Sequence, residues 1–405
     1  MTRLARQALI VVYEARFPAT PTWEKGPLVL EHGQVRSTTE ARSEYFSAKA
    51  ARVLYGDPSR PTRWHDASPH VIGDIEVTGM EALRPADEPD ACGLVAIHLR
   101  HRRGMPISLL RSLAGRMNAG TLNYNPLELV DGQATIQPGR PFTVSFVTSS
   151  KQGLPRLYRQ PRYWRWPPSQ QWLWALASRS DITDYPPDPK NLEPADSDVI
   201  RLSSDWHAVV LRDGMGVVGT RPDRGRDDSF FGYAELYLRS IYLDAVLLGV
   251  LQKQGLTQLE DRMASALDSS ASTTMAELEQ EVSSFRHRLW AQHLTPHGTP
   301  NRLLIAYQRQ HALPERYDQV LTEISDFNRL ARDDESRHVN SAAVVFTLVT
   351  VPAGIALALL QVLETKNPWL FVAVAVACVG LTVGLLSTRS ARVAFRALRN
   401  RFTLR

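Results

Sequence analysis

Short apolar runs bounded by glycine, proline and aspartate punctuate residues 1–152. Residues 8–13 (ALIVVY), 71–77 (VIGDIEV), 94–99 (LVAIHL) and 142–147 (FTVSFV) carry the β-branched content of strands. Residues 43–54 and 107–117 read as helices between them. Residues 153–198 are dense in proline and tryptophan and divide the chain, with a short helix at 169–178 (SQQWLWALAS). Residues 206–211 (WHAVVL) and 216–220 (GVVGT) flank a turn signal, Asp213-Gly214, and predict a β-hairpin within 199–230. From Phe231 the period changes to three and four: Leu238, Ile241, Ala245, Leu248 and Gln252, then Leu278, Val282, Phe285 and Leu289. A further short helix is expected at 301–310. Leu313, Tyr317, Val320, Ile324, Phe327 and Ala331 then step by 4, 3, 4, 3, 4, a heptad seam. That seam serves packing against the preceding helices, self-association as a coiled coil, or both.

Two uncharged apolar runs follow, 342–363 and 369–386, joined by the short loop 364–368 (ETKNP). Each has roughly the 20 residues that span a bilayer as a helix. The pattern therefore predicts an α+β cytoplasmic domain, then long α-helices, then a C-terminal two-helix transmembrane hairpin. The implied segments are an α/β domain at 1–152, the divider at 153–198, the hairpin and connector at 199–230, a stalk-like helical region at 231–340, the membrane hairpin at 341–387 and a basic tail at 388–405. Arg329, Arg332 and Arg337 before the first run, and the arginines after the second, predict that both termini are cytoplasmic in a bacterial-type inner or plasma membrane. Asn340, Thr347, Gly354 and Gln361 recur every seven residues, with Thr350 adjoining. They line a pore made by several copies, or pack against the small residues Ala377, Gly380 and Gly384 of the second run. Asp333, Asp334 and Glu335 are candidates for an acidic inner mouth, or simply a solvated helix end.

Charge refines this picture. The formal net charge is +5 and the isoelectric point about 9.2. Much of the excess sits in the tail, where Arg389, Arg392, Arg396 and Arg399 recur at helical spacing. This points to anionic lipid and away from nucleic acid as a partner. The start of the chain, MTRLARQALIVVYEARF, lacks a signal-peptide pattern and reads as a first strand. Cys92 and Cys378 give no disulfide framework.

The order of a cytoplasmic α/β domain, long helices, a long helix entering a first span, a short loop, a second span and a basic tail resembles the CorA-type metal ion transporters. The run FTLVTVPAGIALALL (346–360) is similar to that family's first span. The family's Gly-Met-Asn signature is absent; the corresponding stretch reads LLQVLETKNP. The resemblance implies a homo-oligomer, a pentamer in that family, with a divalent cation as the transported ion and no resident cofactor. It implies an ion channel or transporter gated by its cytoplasmic domain, with the stretch 313–340 coupling domain to pore. The competing expectation is a non-conducting, membrane-anchored sensor or interaction protein of the defence-effector kind.

Candidate chemistry elsewhere is sparse. His65, Asp66 and His70 lie close in sequence, and Cys92 precedes His98 and His101, but none has metal-ligand spacing, and there is no P-loop or Rossmann glycine pattern. The reading is therefore non-enzymatic. Arg156, Arg159, Arg162 and Arg165 recur every third residue among Tyr158, Tyr163, Trp164 and Trp166. Guanidinium groups beside aromatic planes suit an anionic or nucleotide ligand or lipid headgroups; the aromatics also suit a plug that closes the domain.

Overall fold

A computed structural model describes residues 4–85, 91–102, 106–113, 126–130, 132–151, 153–180, 199–269, 272–290, 297–327 and 329, with 350, 354, 369, 372, 376 and 380 as isolated positions. Residues 1–320 cluster as one compact unit and 321–405 as another.

The first unit is built on an eleven-stranded sheet. Its strands are β1 (Leu4–Phe17), β2 (Glu24–Lys25), β3 (Arg63–Asp66), β4 (His70–Ile72), β5 (Ile75–Leu83), β6 (Ala91–His101), β7 (Thr135–Ile136), β8 (Phe142–Ser149), β9 (Ile200–Arg201), β10 (Trp206–Leu211) and β11 (Gly214–Gly219). The spatial order is β9-β10-β11-β8-β1-β6-β5-β3-β2, with β7 beside β1 and β4 beside β5. Every pairing is antiparallel except β8 with β11. Both edges of the path are two-residue strands, which blunts them against pairing with other chains.

The helices are α1 (Thr39–Ser43), α2 (Ala48–Tyr55), α3 (Pro106–Leu113), α4 (Pro126–Leu129), α5 (Pro168–Ser178), α6 (Ser229–Tyr237), α7 (Leu243–Ser269), α8 (Ser272–Arg288) and α9 (Gly298–Gln310). A five-residue π-helical turn, Leu238–Tyr242, joins α6 to α7. Alternation along the strands sorts the core into two layers. Leu9, Val11, Val95, Ile97, Val147 and Val218 share one apolar cluster with Trp172, Leu173 and Leu176 of α5. Residues of the other parity meet the C-terminal helices: Phe146 lies 6.5 Å from Phe231 of α6, and Phe142 5.1 Å from Tyr307 of α9.

Several local expectations need adjusting. The strand read at 71–77 is a hairpin, β4 and β5, because Gly73 takes φ +59° and makes a two-residue turn with Asp74. The β10–β11 turn is Arg212-Asp213, one residue earlier than the Asp-Gly signal, since Leu211 pairs with Gly214. Gly214 and Gly216 are then strand residues that admit α5. A Cβ on Gly216 would lie 2.6 Å from the Leu173 carbonyl oxygen, and one on Gly214 would lie 2.8 Å from that of Ala177. The helix read at 43–54 is two helices, because the Ser47 hydroxyl accepts from the Ala50 amide and starts α2 afresh.

The largest correction concerns the C-terminus. Among the described residues no helix is long and apolar enough to cross a membrane. The longest, α7, carries Gln252, Lys253, Gln254, Glu260, Asp261 and Arg262 along its length. The fold class ending in a transmembrane hairpin is therefore corrected to a large mixed sheet with flanking helices. The integral-membrane channel and the multi-pass inner- or plasma-membrane localisation lose their support with it. The runs 342–363 and 369–386 lie almost wholly outside the described residues. Within them, Thr350, Gly354, Trp369, Val372, Val376 and Gly380 are helical and exposed.

The heptad positions are placed as far as residue 327. Leu313, Tyr317, Val320 and Ile324 are buried. Tyr317 stacks on Trp290 at 4.5 Å and lies 5.8 Å from Phe285 of α8, so this part of the seam packs within the chain. Ala312, between α9 and the helix that begins at 313, has φ +49°. A non-glycine residue there carries about 1 kcal/mol of backbone strain. Ala312→Gly is expected to raise stability by several tenths to about 1 kcal/mol in urea unfolding; a lowered midpoint would contradict that strain.

Candidate functional site

The loop 154–167 precedes α5 and is organised from beneath by two side chains. Gln171, fully buried in the first turn of α5, accepts at Oε1 from the backbone N–H groups of Leu157 and Tyr158, both at 2.9 Å. Its Nε2 donates to the carbonyl oxygens of Trp166 at 2.9 Å and Tyr163 at 3.5 Å. Arg156 reaches back with Nη1 to the carbonyl oxygens of Tyr163, Trp164 and Trp166 at 3.1–3.2 Å. Trp172 Nε1 donates to the Pro155 carbonyl oxygen at 2.7 Å. At the far end of α5, Arg179 in the left-handed conformation bonds the Pro141 carbonyl oxygen and sits 3.3 Å from Asp213 of the β10–β11 turn. The helix bearing Gln171 is thus fastened to the sheet at its end and along its length.

The aromatic residues of the loop divide by role. Tyr158, Tyr163 and Trp166 are buried with centroids 5.7–6.2 Å apart and form the plug. Trp164 is 64% exposed, and its Nε1–H donates to the Arg159 carbonyl oxygen at 3.1 Å, which fixes the indole's orientation. Arg159, Arg162 and Arg165 are exposed around it and make no ion pair among the described residues. Arg162 lies over the Tyr163 ring at 5.0 Å, within cation–π range. Of the four arginines singled out in the sequence, Arg156 is spent on backbone carbonyls; the other three face outward.

Comparison with family models, with curated proteins and with solved structures gives no match. The resemblance to CorA-type proteins therefore rests on the sequence pattern alone.

A second constellation lies on the opposite face of the sheet. Asp244, fully buried at the start of α7, takes Arg42 Nη1 of α1 at 3.0 Å, Arg63 Nη2 of β3 at 3.2 Å and the Tyr55 hydroxyl of α2 at 2.8 Å. Arg63 Nε also donates to Glu81 Oε2 of β5 at 2.7 Å, and Glu81 Oε1 meets His98 Nε2 of β6 at 3.0 Å. Arg239 of the π-helical turn closes the array, with Nε 3.4 Å from His98 Nδ1 and Nη2 donating to Thr78 Oγ1 at 2.9 Å. Burial alone would lower Arg42 and raise Glu81. The nearby opposite charges outweigh it, holding Arg42 above and Glu81 below their ordinary values. Burial pushes Tyr55 up, and Asp244 adds to the push. His98 is pushed down to about 4 by burial, against the bond to Glu81, and is neutral at pH 7.

This network was not read from the sequence. Its one local signal is a lone carboxylate in the apolar stretch LDAVLLGVL that begins α7. Gln171 had no signal, because a glutamine in a short helix reads as surface.

Cys92 and His98 occupy one strand, β6, six positions apart, so about 20 Å separates them and no dyad forms. His65 Nδ1 faces the Gly26 carbonyl oxygen at 3.0 Å, and His70 lies 4.0 Å from Asp66. Among the described residues no group of three His, Cys, Asp or Glu side chains is arranged to hold a metal. Thr350 and Gly354 are helical and exposed, and Gly354 and Gly380 have open space where a Cβ would sit. Asn340, Thr347, Gln361, Asp333, Asp334, Glu335, Ala377, Gly384, Arg389, Arg392, Arg396 and Arg399 lie outside the described residues.

Proposed function

We propose that the loop 154–167 is the recognition surface of a binding protein, rather than an enzyme, and that its ligand is a phosphate-bearing nucleotide. The observation that carries the reading is Trp164: a tryptophan left 64% exposed and fixed in orientation, on a loop whose other aromatic rings are buried. An indole left this exposed contributes little to the core. Its open face suits a planar base, where stacking is worth about 1–3 kcal/mol. The three outward guanidinium groups suit phosphate oxygens, which they hold by paired, charge-assisted hydrogen bonds. Gln171 and Arg156 order the loop before any ligand arrives, so binding incurs little ordering entropy.

Isothermal titration calorimetry at low salt with ATP, adenosine and inorganic triphosphate tests the reading. ATP is expected to bind the unsubstituted protein. Arg159→Ala, Arg162→Ala and Arg165→Ala together should weaken it at least tenfold, about 1.4 kcal/mol. Trp164→Ala should weaken ATP but leave triphosphate unchanged. No heat with ATP, or equal affinity in the triple variant, would contradict the reading.

A further inference from the structure

Two local insertions meet across the sheet–helix boundary. On β5, the pairing register with β6 shifts between His98 and Leu99, so Thr78 is an extra residue and Gly79 takes φ +157°. Such bulges re-aim one side chain. On the helical side, the π-helical turn Leu238–Tyr242 inserts one residue between α6 and α7. Such turns are rare and concentrate where a helix does something besides pack. Arg239 of the turn bonds Thr78 of the bulge at 2.9 Å and approaches His98 Nδ1 at 3.4 Å. The bulge and the π-helical turn thus meet at the Arg239–Thr78 hydrogen bond.

We propose that Thr78, His98 and Arg239 form an acid-released latch that holds the π-helical turn on the sheet.

The geometry sets the protonation state on which the latch depends. His98 Nε2 faces Glu81 and must donate, since the carboxylate can only accept. Nδ1 faces Arg239 Nε–H and must accept. The ring therefore carries its single proton on Nε2, and a second proton would point at a guanidinium. The surroundings offer no relief. Arg63 of β3 and Arg42 of α1 lie behind Glu81, and Arg100 of β6 adds positive charge near Arg239. Asp244 of α7 is already shared by Arg42, Arg63 and Tyr55 of α2, and Glu235 of α6 pairs with Arg6 as well as Arg239. The guanidinium groups of Arg42, Arg63, Arg100 and Arg239 thus share this region with the carboxylates of Glu81, Asp244 and Glu235, and a charged imidazolium adds a further cation. Acid accordingly favours any conformation in which the turn has lifted and His98 meets water.

The sign follows from the depressed value. A released His98 titrates near 6.5 and the latched one near 4, so latching is intact above 6.5 and weakens as pH falls towards 4. Between pH 7.5 and 5.0 the released fraction should rise roughly 25-fold.

Hydrogen exchange of the full chain, read by mass spectrometry over 236–246 and corrected for intrinsic chemistry, tests this at pH 7.5 and 5.0. The unsubstituted chain should lose roughly 25-fold protection in that segment while the central strand β1 keeps its own. His98→Gln retains a donor for Glu81 without a titrating group, and should change less than threefold. His98→Asn, which retains an acceptor towards Arg239, is the comparator should His98→Gln fail to fold. A loss confined to this segment in the unsubstituted chain supports the latch even with neither variant in hand. Unchanged protection there, or an equal loss in a folded variant, overturns it.

Discussion

Asp244→Asn is expected to lower stability by about 3–5 kcal/mol. The side chain is fully buried and receives Arg42 at 3.0 Å, Arg63 at 3.2 Å and the Tyr55 hydroxyl at 2.8 Å. Removing its charge leaves two buried guanidinium groups facing an amide, whose NH2 adds donors where acceptors are needed. Glu81 remains for Arg63, but Arg42 retains only the carbonyl oxygens of Leu28 and Ser37 and the Ser37 hydroxyl. Urea unfolding measures the loss as a lower midpoint at unchanged slope. A change below 1 kcal/mol would mean that the array contributes little. Replacing Arg42 and Asp244 together by methionine and leucine should recover much of the loss, because no unpaired charge then remains between them.

Gln171→Leu is the second large effect. Leucine fills the volume but strands the Leu157 and Tyr158 amides and removes the donor to the Trp166 carbonyl oxygen. A buried polar group left without a partner costs about 1–3 kcal/mol, so a loss of about 3 kcal/mol is expected after partial relaxation. Gln171→Glu keeps the acceptor for the two amides but turns its second oxygen onto the carbonyl oxygens of Trp166 and Tyr163 in a buried site, and should destabilise as well. Urea unfolding ranks the three, and exchange at the Leu157 and Tyr158 amides locates the change. Equal stability for Gln171→Leu would show that the loop is not held from beneath. A loosened loop should also bind ATP more weakly, because ordering it then opposes binding.

What could be read from the sequence was what depends on neighbours in the chain. The β10–β11 hairpin, α5 and the helices after Phe231 follow from turn residues and periodicity, and they appear within a few residues of their expected bounds. The arginine–aromatic loop was visible because its chemistry is contiguous. Its division into buried plug and exposed surface was not, because Gln171 and α5 decide it. The ionic array could not be read, since Arg42 and Asp244 are 202 residues apart and Arg63 and Asp244 181. The two insertions that carry Thr78 and Arg239 matter only because they face one another. At the C-terminus, hydrophobicity alone predicted a membrane hairpin, and no described helix has the length and apolar character to form one.

Photocrosslinking with an 8-azido adenosine triphosphate, followed by peptide mapping, tests the central claim most directly. The account predicts an adduct within 157–167, on or beside Trp164, that excess ATP suppresses and that Trp164→Ala abolishes. An ATP-suppressible adduct on a different segment, or none in this loop, would contradict it.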